Sequence, residues 1–197
     1  MAAPVNCALA TMVSAVSCID DWNGKLVLVQ GAGMLGLYGC ALLKEAGCAK
    51  VYCADINSDR LSQVSEFGAI PYDKGAEGCP GSCEFDVIIE VCGAAAVVKD
   101  GMDLVKIGGT YLFIGMVHPF SQLDITGESI IVKCLTIRGV HNYAPWDLEK
   151  SVEFIAKTAD KYPYETLVSQ PFPLQDIDAA VRETETQKFC RVALVAE

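Results

Sequence analysis

Three glycines and an acid mark where this sequence can do chemistry: Gly31-Ala32-Gly33-Met34-Leu35-Gly36, followed by Asp55. In a G-x-G-x-x-G turn, Gly31 permits the tight bend. Gly33 lets the main chain approach a pyrophosphate, and Gly36 lets the following helix pack against the strand. The amides of Met34 and Leu35 then point at the phosphates from a helix N-terminus, where the peptide dipoles favour negative charge. Asp55 stands 19 residues after Gly36, where a carboxylate can accept bonds from both hydroxyls of an adenosine ribose. The same charge repels a 2′-phosphate, which favours NAD over NADP. Arg60 leaves two roles open, stacking near adenine or offering charge to a phosphate.

That chemistry requires a strand before the turn and a helix after it. Residues 25–30 are β-branched and leucine-rich, and residues 33–46 are helix-like and closed by Gly47. Residues 50–54 predict a second strand. Residues 58–67 predict a helix with Ser58 as cap and Gly68 as stop. The alternation continues with strands at 69–72, 85–91, 110–116 and 135–140 and helices at 94–105 and 146–159. Strands alternating with helices predict an α/β fold, a doubly wound parallel sheet of the Rossmann kind with order 3-2-1-4-5-6. Ligands lie at the carboxyl ends of such strands. Glu90-Val91-Cys92-Gly93 and Ile114-Gly115-Met116, each closing a strand, therefore face the crevice. The prolines at 163, 171 and 173 break the rhythm, and the helix and strand expected at 174–184 and 191–196 read as leaving the nucleotide domain.

Other chemistries find little support. His118 and His141 have no Ser or Cys partner at a recognisable spacing, which argues against a hydrolase triad. No Tyr is followed four residues later by Lys, the usual acid of a short-chain dehydrogenase. A methyltransferase also carries an acid after its second strand, but the full glycine motif argues against one. The ten cysteines are scattered and read as reduced thiols; Cys79 and Cys83 leave metal binding open, with no second pair beside them. A net charge of −10 makes nucleic acid a poor partner. No run approaches the roughly 18 apolar residues of a membrane span, and no Lys or Arg precedes Lys25 as a signal peptide would require. A cytoplasmic protein without a membrane partner is expected.

Four linked segments resemble the zinc-type, medium-chain alcohol dehydrogenase superfamily. Pro4-Val5-Asn6-Cys7-Ala8-Leu9-Ala10-Thr11 is similar to the helix start that supplies one catalytic zinc ligand. The strand with Gly31–Gly36 follows at the family's distance. Asp55-Ile56-Asn57-Ser58-Asp59-Arg60-Leu61 with Gly68-Ala69 is similar to the ribose-binding segment, and Phe189-Cys190-Arg191-Val192 to the closing strand. The resemblance implies that Cys7 ligates zinc and that Ile56 and Arg60 lie by the adenosine. It also implies that Ile114, Met116 and His141 flank the nicotinamide and that Arg191 reaches the pyrophosphate. It divides the chain into a linking helix from the catalytic domain (1–22), an NAD(P)-binding domain (23–160) and a segment returning to the catalytic domain (161–197). One cysteine cannot hold a catalytic zinc, which needs about three protein ligands and an open position. The chain therefore reads as a fragment without catalytic residues of its own, binding NAD(H) but oxidising no alcohol alone. The implied substrate is a small alcohol or carbonyl compound. A homodimer or higher homo-oligomer is expected through a sheet edge near residues 123–132, with an apolar patch exposed at 171–174 and 192–195. The alternative is a catalytically inactive, nucleotide-binding regulatory module.

Overall fold

The computed structural model describes residues 4–196. Residues 1–3, where the expected linking helix begins, and Glu197, where the closing segment ends, lie outside the described residues. Six parallel strands form the main sheet: β1 (Leu26–Gln30), β2 (Lys50–Ala54), β3 (Ile70–Pro71), β4 (Phe85–Glu90), β5 (Val105–Phe113) and β6 (Thr136–Gly139). Their order is β3-β2-β1-β4-β5-β6, as the alternating pattern predicts. Each strand's carboxyl end therefore opens on the same edge of the sheet.

Alternation along the strands divides the core into two layers. Val27 and Val29 of β1 join one cluster, and Leu28 between them joins the other. The first layer is covered by α1 (Ala10–Val16), α2 (Met34–Glu45) and α6 (Pro145–Thr158), and it takes in Leu37, Ala41 and Phe67. A π-helical turn, Val5–Leu9, leads into α1. The second layer is covered by α4 (Ala95–Leu104), with Tyr52, Tyr72 and Phe85 meeting edge to face inside it. Among the described residues, no helix is long and apolar enough to cross a membrane.

Several expected boundaries move. Asn57, not Ser58, caps α3 (Ser58–Gln63): its side chain accepts the Asp59 and Arg60 amides at 2.9 and 3.1 Å. Both residue types cap helices, and the extended backbone at position 57 decides between them. Gly68 stops the following 3-10 turn, Val64–Phe67, in the left-handed region, as expected. β5 begins at Val105 rather than at residue 110, and its pairing with β4 shifts register, with Phe85 facing Val105 but Val87 facing Thr110. Gly108 and Gly109 sit in the extra residues, Gly108 at φ +76°. Residues 123–132 do not form the sheet edge. Gly127–Val132 is a short helix, α5, capped by Thr126, and the edge strands are β3 and, on this side of the sheet, β6.

The chain after α6 does two things. Tyr162, Tyr164 and Leu167 turn back into the first core layer. Phe172–Pro173 (β7) and Leu194–Val195 (β8) then pair in a separate two-stranded parallel sheet joined by α7 (Ile177–Glu185). Leu174, Ile177, Val181, Leu194 and Val195 are all exposed there.

One polar tie binds this segment to the nucleotide-side helix. Glu45, at the end of α2, accepts Lys161 Nζ at 2.7 Å and Tyr162 Oη at 2.9 Å. The Lys161 bond, with smaller help from Tyr162, holds the Glu45 carboxyl below its ordinary range against the opposing pull of burial. A carboxyl lowered in the folded state stabilises above its unfolded pKa and loses that contribution as pH falls. Glu45→Gln should therefore lower the melting temperature at neutral pH, with a difference from wild type that shrinks on acidification. A difference independent of pH would mean that the charge of Glu45 contributes nothing.

Candidate dinucleotide-binding site

The site is built at the carboxyl edge of the sheet, around the turn from β1 to α2. Gly31 adopts φ +120°, a region that L side chains rarely enter, and its amide donates to the Ala54 carbonyl at 2.8 Å. A Cβ there would also press on Cys92 and Val91. Gly36 is fixed by packing, since a Cβ on it would overlap the Gly31 carbonyl oxygen. Gly33 differs from both. Its backbone is extended (φ −75°, ψ −171°), open to any residue, and a Cβ on it would meet no protein atom within 4 Å. It caps α2 without a side-chain bond, so the first amides of that helix have no partner in the cap. Nothing in the chain's own packing requires glycine at position 33; an approaching ligand would.

Asp55 lies directly on this turn. Its Oδ2 accepts the Ala32 amide at 2.7 Å and its Oδ1 accepts the Asn57 amide at 2.8 Å. A carboxylate oxygen offers two lone pairs, so each oxygen keeps capacity for a further donor. Asp55 thus joins the turn after β1 to the turn after β2.

The expected residues fall around two recesses. A cleft of about 730 Å³ is lined by Gly31, Asp55, Ile56, Arg60 and Cys92, together with Asn57, Tyr72 and Gln187. Ile56 projects fully into solvent, an apolar side chain with no protein cover. Lys74 and Asp100 form an exposed ion pair on the same cleft. A smaller recess of about 220 Å³ brings Cys7, Met34 and Arg191 together with Asn6 and Val192. The Arg191 guanidinium donates to the Cys190 carbonyl at 2.9 Å and takes part in none of the ion pairs of the described residues. Leu35 is half-buried on the first turn of α2. Gly93, Gly115 and Met116 are half-buried at the ends of β4 and β5, where Ile114 is buried. His141 follows β6, is exposed and lines neither recess.

Two polar groups lie beneath this edge: Gln30, which sequence reasoning passes over, and Glu90, which was expected to face the crevice with Cys92 and Gly93 but is buried because its carboxylate turns inward onto the Gly93 and Gly115 amides. Gln30, at the end of β1, donates to the Val97 carbonyl at 2.8 Å and accepts Tyr111 Oη at 2.6 Å. Glu90, at the end of β4, is fully buried and accepts the amides of Gly93 and Gly115. The signal for Glu90 is an acid closing an otherwise apolar strand, a pattern equally expected of an exposed strand end. Cys92 stands beside it, and burial first, then the Glu90 charge, pushes the Cys92 thiol up.

The metal expectation stands on Cys7 alone. Among the described residues no three His, Cys, Asp or Glu side chains gather as a metal site. Cys7 is exposed beside Arg191, and Cys79 and Cys83 have no third donor among the described residues. These residues do not by themselves fit a zinc ion.

A parallel sheet of this order, with helices on both faces and a glycine turn at its carboxyl edge, defines a domain of the Rossmann class. A family described as zinc-binding dehydrogenase matches residues 35–157. Sorbitol dehydrogenase of Rattus norvegicus is 32% identical over 177 residues, covering 84% of this chain and 47% of its own length. D-altritol 5-dehydrogenase of Agrobacterium fabrum is 32% identical over 143 residues, covering 72% of this chain and 43% of its own length. An alcohol dehydrogenase structure from Thermotoga maritima superposes with a TM-score of 0.85 at 23% identity, over 97% of this chain and 55% of that one. The chain belongs to the zinc-binding dehydrogenase family, and it spans about half the length of the relatives it matches.

The three glycines separate ligand from fold. Gly36→Ala should cost about 1–3 kcal/mol through overlap with Gly31, although alanine is intrinsically the better helix residue by about 1 kcal/mol. Gly33→Ser, which keeps a favourable cap residue at the start of α2, should stay within about 0.5 kcal/mol of wild type. Urea unfolding of both variants checks this, and equal losses would refute the distinction.

Proposed function

We propose that this chain is the coenzyme-binding domain of a zinc-type alcohol or polyol dehydrogenase and that it binds NAD(H). The observation that carries the reading is the open space before Gly33, where neither backbone strain nor packing calls for glycine. A pyrophosphate would occupy that space, bonded to the amides of Met34 and Leu35 on the first turn of α2 and approached by Arg191 from the smaller recess. Gly31 and Gly36 would hold the turn in shape. The adenosine would take the larger cleft, its ribose on Asp55 and its base between Ile56 and Arg60. The exposure of Ile56 supports this, since an adenine face would cover it. Cys92, Gly93, Ile114, Gly115, Met116 and His141 would face the nicotinamide half, past the ends of β4, β5 and β6.

Asp55 favours NAD over NADP: a 2′-phosphate would meet its carboxylate at the glycine turn. A structure of similar fold from Sinorhizobium meliloti, 23% identical, is described as bound to NADP; the carboxylate of Asp55 is what favours NAD in this chain. NAD supplies the hydride acceptor when bound. This chain's residues bind and orient it, and Cys7 offers one donor toward zinc, the other ligands lying outside the described residues. Residues 23–160 form the cofactor domain in this reading. Residues 1–22 and 161–197 face the catalytic part, whose substrate would be a small alcohol or carbonyl compound, and the whole works in the cytoplasm. The one-sided edge of β6 is the proposed seam for a homodimer.

Fluorescence titration with NADH and NADPH tests the assignment. Wild type should bind NADH more tightly than NADPH. Gly33→Val should weaken NADH at least tenfold, about 1.4 kcal/mol, while still unfolding cooperatively. Asp55→Ser should weaken NADH and narrow or invert the preference over NADPH. Wild-type protein that binds neither nucleotide, or a Gly33→Val chain that binds as wild type does, would overturn the proposal.

A further inference from the structure

Two carboxylates are buried among the described residues, Asp147 and Glu90. Asp147 is accounted for: its Oδ2 accepts the Ala144 amide and closes the start of α6. Glu90 is more deeply placed, with no exposed surface, and takes part in none of the ion pairs of the described residues. A buried charge without a cation is costly unless hydrogen bonds replace its water. Here two do. Oε1 accepts the Gly93 amide at 2.5 Å and Oε2 accepts the Gly115 amide at 3.1 Å, so one carboxylate spans the turns leaving β4 and β5. The Glu90 carbonyl adds a second tie, accepting the Ile114 and Gly115 amides at 3.0 and 3.1 Å. Both glycines fit this closeness, since a Cβ on Gly115 would lie 2.5 Å from the Gly93 nitrogen and one on Gly93 2.7 Å from the Gly115 oxygen.

An apolar side chain could fill this volume without the burial cost, so packing alone does not call for an acid. We propose that Glu90 is a positioning residue: its carboxylate fixes the spacing of the Cys92-Gly93 and Ile114-Gly115-Met116 turns so that together they form one rigid wall for the nicotinamide ring. The inference rests on the cofactor assignment above and deepens it. Glu90 does not touch the cofactor, and it does not line the adenosine cleft. The adenosine half should therefore not sense its loss.

Glu90→Gln is the same size, but its amide group turns an N–H donor toward one of the two N–H groups. Glu90→Asp keeps two acceptor oxygens on a shorter stem. The 197-residue chain and both variants are titrated with ADP-ribose, which lacks the nicotinamide, and with NADH, followed by nicotinamide fluorescence. For Glu90→Gln the expected result is an ADP-ribose affinity within about twofold of wild type, an NADH affinity lower by about tenfold, and loss of the fluorescence enhancement. Glu90→Asp should restore part of that enhancement. A Glu90→Gln chain that binds NADH with wild-type affinity and fluorescence overturns the inference. So does an equal loss of both ligands, or failure of both variants to fold, since either makes Glu90 merely structural. Wild type that binds neither ligand would sink the cofactor assignment and this inference with it.

Discussion

The bond from the Ala32 amide to the Asp55 carboxylate governs the architecture of this site. It joins the turns of two adjacent parallel strands at the edge where a doubly wound sheet offers its crevice. The next helix, α2, starts two residues on, capped by Gly33 with no side-chain bond to its first amides. Gly36 packs onto the Gly31 carbonyl and fixes how close the helix comes. Only Gly33 is then left with neither packing nor backbone strain to require glycine. The glycines of this turn answer to different constraints, Gly31 and Gly36 to strain and packing and Gly33 to neither.

Much of this was legible in the residues. The alternation of strands with helices predicted the sheet order, and the glycine spacing with the acid after β2 pointed to the edge that carries the candidate site. Short-range competition and long-range pairing were not legible. Asn57 and Ser58 are both good caps, and only the local backbone chooses. The start of β5 at Val105 depends on which residues of β4 it faces, information carried by neither strand alone. Residues 127–132 form a helix because Thr126 caps them, although their apolar run also suits a strand. Glu90 illustrates the same limit: its burial follows from Gly93 and Gly115 converging on it, two positions far apart in the chain.

The division into two recesses was also hidden. Cys7, Met34 and Arg191 come from the N-terminal turn, the start of α2 and the closing segment, and they meet because Tyr162, Tyr164 and Leu167 anchor the chain after α6 to the first core layer. Glu45 holds Lys161 and Tyr162 against the end of the same helix whose beginning carries the glycine turn. The closing segment is thus fastened to α2 at the far end from the site, and Arg191 is delivered to the near end. The bridge between Val168 and Arg191 and the β7–β8 pair complete that return.

A chain with a net charge of −10 is an unpromising host for an anionic ligand if charge acts at long range. It does so weakly: at physiological ionic strength, exposed charges are largely screened beyond about 8 Å. What a pyrophosphate would meet at the turn is local, namely the positive end of α2, amides without a side-chain cap and the Arg191 guanidinium, which is committed to no ion pair among the described residues. The nearest carboxylate, Asp55, is already held by two amides that partly offset its charge. Its remaining lone pairs suit neutral hydroxyl donors and not a second phosphate. Net acidity would not bar an anion from this turn, because the acid bonded to the turn is itself held by two amides.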